Sequence, residues 1–312
     1  MSGGPKDNRP IWSGIPAARL GALAGGLAGL GYAFTVICGR NLAKAHLNVA
    51  TVLSIRFGIS GVVLIAVCLV RGVAPRPVRG EWLGIFLLGA IGYMTESSFF
   101  FAAIARGSTA AVTLLFYVYP ALVTVIEAVR GRRSPSRAVL IALALSITGS
   151  ALVAGAGGHV DIQKLGIVFA LCSATTFASY VTVGARLSER SDPMATGAWV
   201  ALGASASFTV RAVVGAGYSA TAGHWPILLG NGLANALAFG MMFAALGLIG
   251  PARASVVLTM EAVFTVILSF VILHESLDPL QMVGAVGVLA AAVTVARSAA
   301  PDVAETEAVV AP

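Results

Sequence analysis

Charge is scarce in this chain. Of its 312 residues only 11% are charged while 58% are hydrophobic, whereas a soluble globular domain has about a quarter of its residues charged. The apolar runs use almost the whole length and leave no room for a separate soluble domain. Neither a G-x-x-x-x-G-K-[ST] loop nor a strand-turn-helix G-x-G-x-x-G occurs, which argues against ATP-driven pumping by this chain. Histidine is rare, and the 4 present lie singly at loops or helix ends. The 3 cysteines, Cys38, Cys68 and Cys172, fall inside predicted helices without metal-ligand spacing and read as small apolar packers. No metal, no cofactor and no catalytic set is expected. The net charge of +7 could point to nucleic acid, but Lys and Arg sit in short loops between apolar runs. That is the positive-inside pattern of a membrane protein, so no nucleic-acid partner is expected.

Each apolar run is about 20 residues long, the length that crosses a ~30 Å hydrocarbon core. They fall at 20–38, 49–70, 82–101, 109–129, 138–156, 164–184, 195–217, 226–247, 254–273 and 280–296. This predicts an all-α integral membrane fold of ten transmembrane helices. The first run is longer than the apolar stretch of about 7–15 residues in a signal peptide and lacks an A-x-A exit, so it reads as a retained span. With the N-terminus inside, fourteen Lys and Arg face the cytoplasm; only four, Arg40, Lys44, Arg106 and Lys164, face outward. Both termini are therefore expected in the cytoplasm, with the chain multi-pass in a bacterial inner membrane. Trp12, Trp82, Trp199 and Trp225 lie at span ends, where indoles anchor in the headgroup layer. The expected organisation is a cytoplasmic segment 1–18, five-helix halves 19–156 and 157–297, and a disordered tail 298–312.

The halves carry an internal repeat. FAAIARGSTAAVTLLFYVYPALVTVI from Phe101 aligns without a gap on the stretch from Phe243, 142 positions later. Tyr119 falls on Glu261 and Pro120 on Ala262, and both copies run through a turn with Pro135 or Pro279 into one more apolar helix. Five spans per half make the two copies inverted in the membrane, as in many secondary carriers. The second copy, ARASVVLTMEAVFTVILSFVILHESLDPLQMVGAVGVLAAAV, resembles the closing motif of the drug/metabolite transporter superfamily, EamA type. Arg253, Glu261, Glu275, Leu277, Pro279, Gln281 and Gly284 fall on that pattern. The sequence departs from it in two places: Ala262 stands where the family has proline, and the first half ends GRRSPSR in place of a Gly-Glu. The resemblance implies a metabolite or drug exporter, with the aromatic amino-acid exporters as the branch of best fit.

Small residues explain how such helices pack. Gly21, Gly25 and Gly29 form one small-xxx-small ridge; Gly284, Gly287 and Ala291 form another. In lipid the helices gain no hydrophobic drive from association, so close backbone approach supplies the contact.

Charge at membrane depth is costly and tends to face a cavity or a partner. Arg56 and Glu96 lie roughly 10 Å and 8 Å from the outer ends of adjacent spans, so they read as an ion pair that is either structural or part of a site. Glu127, three residues before Arg130, reads as a local pair at the interface. Glu261 heads a stripe with Thr265 and Ser269 and reads either as a solute-binding acid or as a tie between helix ends. Similar stripes are Tyr93, Glu96, Ser97 and Phe100; Thr113, Tyr117, Pro120 and Thr124, with Tyr119 beside them; Ser173, Thr176 and Tyr180; and Asn231 with Asn235. Pro120 frees a backbone carbonyl and marks a hinge. One stripe alone reads as packing; four in corresponding parts of two halves read as a shared wet cavity. The expected solute-binding set is Tyr93, Glu96, Tyr117, Tyr119, Tyr180, Asn235 and Glu261.

Together these features point to a secondary carrier for a small amphiphilic solute, working as a monomer or weak dimer among membrane lipids. A lipophilic-cation exporter is the nearest alternative. A membrane-embedded lipid-modifying enzyme would need clustered acids, histidines or a nucleophile and base near one interface, and the chain offers scattered single acids instead.

Overall fold

The computed structural model describes residues 16–78, 80–130, 135–155, 161–215, 217–218, 221–274 and 278–297. Trp12, most of the 1–18 segment, the 298–312 tail, the motif residues Glu275 and Leu277 and most of the basic turn after Arg130 lie outside the described residues. So does the junction expected between the halves, at 156–157. Among the described residues the chain is helical, and its one β-type contact is an isolated bridge between Gly107 and Ile162.

The first half begins with α1 (Ala17–Lys44) and α2 (Val49–Val70). A third span follows, built of α3 (Trp82–Leu87), a π-helical turn over Leu88–Tyr93, and α4 (Met94–Ile104). The fourth is α5 (Thr109–Phe116) plus α6 (Tyr119–Val129), and the fifth is α7 (Arg137–Gly155). The second half contains α8 (Lys164–Leu187), α9 (Pro193–Val214), α10 (Trp225–Leu258), α11 (Met260–Leu273) and α12 (Pro279–Arg297). α10 is two helices joined at a kink, for at Gly250 the backbone leaves the helix (φ 75°, ψ 165°) and Pro251 starts the next. Glycine takes that φ without a Cβ clash, and proline needs no N–H donor at a first turn. The ninth span is thus the last eight residues of α10 followed by α11, which gives ten crossings in an all-helical membrane fold. Several spans start where a side chain caps them: Asn48 Oδ1 accepts from Ala50 N (2.8 Å), Ser108 Oγ from Ala111 N (3.2 Å), and Asp192 Oδ1 from Met194 N (2.8 Å). Each takes up a donor that the first turn cannot satisfy by itself.

Backbone-close packing holds the spans together. A Cβ on Gly29 would stand 2.8 Å from the backbone nitrogen of Glu261, and one on Gly25 would stand 2.8 Å from a Val257 methyl. The α1 ridge therefore lies directly against the ninth span. Gly149 of α7 and Gly284 of α12 face each other, so that a Cβ on either would meet the other's carbonyl oxygen at 2.6 and 2.5 Å. Gly89 in the π turn abuts the Val200 carbonyl of α9, and Gly203 of α9 abuts Phe86 on the third span.

The fourth and ninth spans are interrupted at matching places. Between α5 and α6 the Val118 N–H turns back to Leu115 O (3.3 Å), a three-residue rather than four-residue step. Between α10 and α11 the Thr259 N–H does the same to Val256 O (3.3 Å). Tyr119 and Glu261 each stand just beyond a break, in the register of the internal repeat. Pro120 accounts for the first interruption, since it cannot donate to the preceding turn. The second interruption stands without a proline, because Ala262 occupies that place and its N–H bonds Thr259 O (3.0 Å). There the break is held from outside: Ser146 Oγ of α7 bonds Thr259 Oγ1 (3.0 Å), and the Tyr119 hydroxyl donates to Ser255 O (3.1 Å).

Candidate functional site

The two interrupted spans border a cavity in two adjoining parts that share lining residues. The outer part encloses about 440 Å³, within the ~300–1,000 Å³ of small-molecule sites. Helix ends that gather on one membrane face line it: Arg40 from α1, Thr109 from α5, Ala154 from α7, Ser269 from α11 and Gln281 from α12. Thr113, Tyr117, Glu261 and Thr265 line it further down. The deeper part, about 200 Å³, is lined by Tyr32, Arg56, Tyr93, Glu96, Tyr119 and Phe177 among others. Val36, Phe100, Phe116 and Glu261 belong to both parts.

Aromatic rings close the deep end. Phe100, Phe116, Phe177, Tyr180, Tyr93, Phe57 and Phe239 form an unbroken chain with centroid separations of 5.5, 5.3, 5.7, 5.8, 4.8 and 5.5 Å. These are separations at which ring edges meet ring faces. The rings come from both halves, so the floor of the cavity is itself the join between them.

The charged groups are treated unequally. Glu96 is buried, and its two carboxylate oxygens accept from Ser97 Oγ and Ser173 Oγ, both at 3.0 Å. Arg56 donates to the Tyr93 hydroxyl (3.4 Å) and its guanidinium carbon lies 4.5 Å from the centre of the Phe57 ring. The ion pair expected between Arg56 and Glu96 is not formed. Matched depth brought them to one chamber, but two hydroxyls had already satisfied the carboxylate and a phenol and a ring hold the guanidinium. The Nε–H of Arg56 is buried and finds no acceptor among the described residues. Glu261 is half-buried at the first turn of α11, where its negative charge is favoured by the helix N-terminus. Among the described residues no donor reaches its carboxylate.

Of the residues singled out from sequence, Tyr93, Glu96, Tyr117, Tyr119 and Glu261 come together around this cavity, and Thr113, Thr265 and Ser269 join them. Two do not reach the lining. Tyr180 is 2% exposed and forms part of the aromatic floor. Asn235 is fully buried between α10 and α2, where its Nδ2 donates to Ser60 Oγ (2.9 Å). Pro120 is buried beside the first break rather than in the lining. Tyr32, Thr35 and Arg40 of α1 are cavity residues that the stripes did not reveal. Their spacing on α1, three and five residues apart, carries a signal only once the Gly ridge has fixed which side of α1 packs. Glu127 is buried outside the cavity.

Comparison with known proteins agrees with this architecture. The model of the EamA-like transporter family matches residues 19–155 and again 164–297, one copy per half. No curated protein sequence matches significantly. Among 29 solved chains that match, one crystal structure of a protein aligns with a TM-score of 0.75 at 18% identity, over 88% of this chain and 95% of its own. At that identity the likeness speaks for the fold alone.

Proposed function

The chain belongs to the EamA-like transporter family, a family of membrane carriers rather than enzymes, and on that premise we propose that it exports small amphiphilic metabolites, aromatic amino acids foremost, across the bacterial inner membrane by alternating access. The observation that carries this reading is the cavity between the halves, floored by rings and holding one carboxylate, Glu261, that no donor among the described residues reaches. A solute ring stacks on Phe116 and Tyr119 while its polar head exchanges water for Glu261 and the hydroxyl stripe. Both termini lie in the cytoplasm in this reading, so the cavity opens away from it. The five-helix repeats are the bodies that rock, with the interrupted fourth and ninth spans absorbing the change. Of the seven residues expected to bind solute, we keep Tyr93, Tyr117, Tyr119 and Glu261 in contact with it; Glu96 and Tyr180 support the wall, and Asn235 ties α10 to α2.

Uptake of labelled L-phenylalanine and L-tryptophan into sealed vesicles holding the purified protein tests the proposal. Saturable uptake that Tyr117→Ala weakens, in a protein that still elutes as the parent does, is the expected result. Uptake of lipophilic cations with no response to amino acids favours the multidrug alternative. Flux that does not saturate indicates a channel and removes the carrier reading.

A further inference from the structure

We propose that Glu261 and Arg56 are the two charge-recognition points of this cavity, receiving the ammonium and the carboxylate of one zwitterionic solute, and that Glu96 is not one of them. The inference rests on the reading of the cavity as the transport site and narrows the substrate to a molecule bearing both charges.

Three acidic or basic side chains line the deep chamber, and their hydrogen-bonding states separate their roles. Glu96 looks like the natural cation receptor, for it is buried among rings. Yet each of its oxygens already accepts a hydroxyl, one from its own helix and one from α8 of the other half. A carboxylate so held ties the third span to the sixth and would have to give up a bond to take a ligand. Glu261 has no such partner among the described residues, stands in both chambers, and so is the acid that an entering ammonium meets first. A half-buried carboxylate in a confined, largely apolar site favours the arrival of a cation or of several donors.

Arg56 is the complementary case. Among the described residues its one side-chain hydrogen bond runs to Tyr93 at 3.4 Å, and its buried Nε–H meets no acceptor there. A planar guanidinium with unused donors is suited to a carboxylate, which it binds through two parallel bonds. The other cation of the cavity, Arg40, sits at the mouth and donates to Ser269 (3.2 Å), so it screens entry rather than meeting a solute seated at the floor. Tyr119 and Phe177, their ring centroids 4.8 Å apart, line the same deep chamber as Glu261 and Arg56, so a ring is the third group to be recognised there. A lone lipophilic cation would satisfy Glu261 and leave the guanidinium unmet.

The test is direct binding to the full-length protein in lipid nanodiscs of four probes: L-phenylalanine, its methyl ester, phenethylamine and 3-phenylpropionate. The parent protein is expected to bind L-phenylalanine at least about tenfold more tightly than any of the other three. Arg56→Gln should bring L-phenylalanine down to the level of the ester and the amine, while Glu261→Gln should bring it down to that of 3-phenylpropionate. Glu96→Gln should keep the parent's order of affinities. If Arg56→Gln fails to fold, Arg56→Lys, which retains charge without the planar fork, should weaken L-phenylalanine while leaving phenethylamine unchanged. Equal binding of the amine and the amino acid by the parent overturns the zwitterion assignment and leaves the transport site standing for cations. Loss of the order of affinities in Glu96→Gln, with Glu261→Gln retaining it, exchanges the two acids and overturns the proposal. Failure of all four probes to bind the parent overturns it together with the functional reading.

Discussion

Replacing Tyr119 by Phe removes one hydroxyl and one hydrogen bond, and the structure says what that bond does. The side chain is 3% exposed, and its hydroxyl donates to Ser255 O at 3.1 Å. Four residues on, Thr259 gives its N–H to Val256 rather than to Ser255, so the phenol from the first half supplies the donor that the interrupted ninth span withholds. Phe in its place takes that donor away from a buried carbonyl. Side-chain hydrogen bonds inside membrane proteins average about 0.6 kcal/mol and reach about 1.7; a bond to a buried carbonyl at a helix break belongs to the upper part of that range, so Tyr119→Phe should cost about 1–1.7 kcal/mol. The same change at Tyr180 gives the control. Tyr180 is equally buried, but its hydroxyl has no partner among the described residues, and Tyr180→Phe deletes an unsatisfied polar atom. It should be neutral or slightly stabilising. Reversible unfolding in mixed micelles of increasing denaturing detergent fraction, followed by tryptophan fluorescence, measures both. Equal cost for the two substitutions refutes the reasoning, since the Tyr180 hydroxyl would then be bonded and the floor wrongly described.

Two further outcomes follow from packing and charge. Gly149→Ala drives a methyl to 2.6 Å from the Gly284 carbonyl and should cost about 1–3 kcal/mol as α7 and α12 separate, whereas Gly230→Ala meets nothing within 4 Å and should stay within about 0.5 kcal/mol of the parent in the same unfolding assay. Ala222→Cys, in a chain freed of its native thiols, sits in the exposed turn before α10 and should react with an impermeant maleimide from outside intact cells; reaction from the cytoplasmic face alone would reverse the orientation argued from the Lys and Arg distribution.

Much of the fold was legible because lipid imposes one rule, a span of fixed length with no stray charge. The run at 49–70 matches α2 from end to end and the run at 109–129 has the outer bounds of α5 and α6, and Phe101 on Phe243 set the register in which the two interruptions fall. The interruption at Thr259 was not legible, since Ala262 erased the proline that marks its counterpart. Nor was the π turn over Leu88–Tyr93, which rests on the close approach of Gly89 to α9 rather than on any local preference. The site was legible in depth but not in azimuth. In an apolar bundle every face of a helix looks alike, so Asn235 and Tyr180 carried the same polar signal as Tyr117 although they face a neighbouring helix and the ring floor. The Arg56–Glu96 pair failed for a related reason. Depth along two helices can be counted from sequence, but the serine of a third helix, Ser173, that takes one Glu96 oxygen cannot.

The most direct measurement of the central claim, that solute occupies the cavity beside Glu261, is protection of a thiol placed there. Thr265 lines the outer chamber one turn from Glu261, while Ile267 on the same helix is 47% exposed on the outer surface of the bundle. With the native cysteines replaced, Thr265→Cys should be alkylated by a small maleimide, and saturating L-phenylalanine should slow that reaction several-fold, while the rate at Ile267→Cys does not change. Transport of L-phenylalanine by a protein in which it slows neither reaction would contradict the account, for the solute would then cross without entering this cavity.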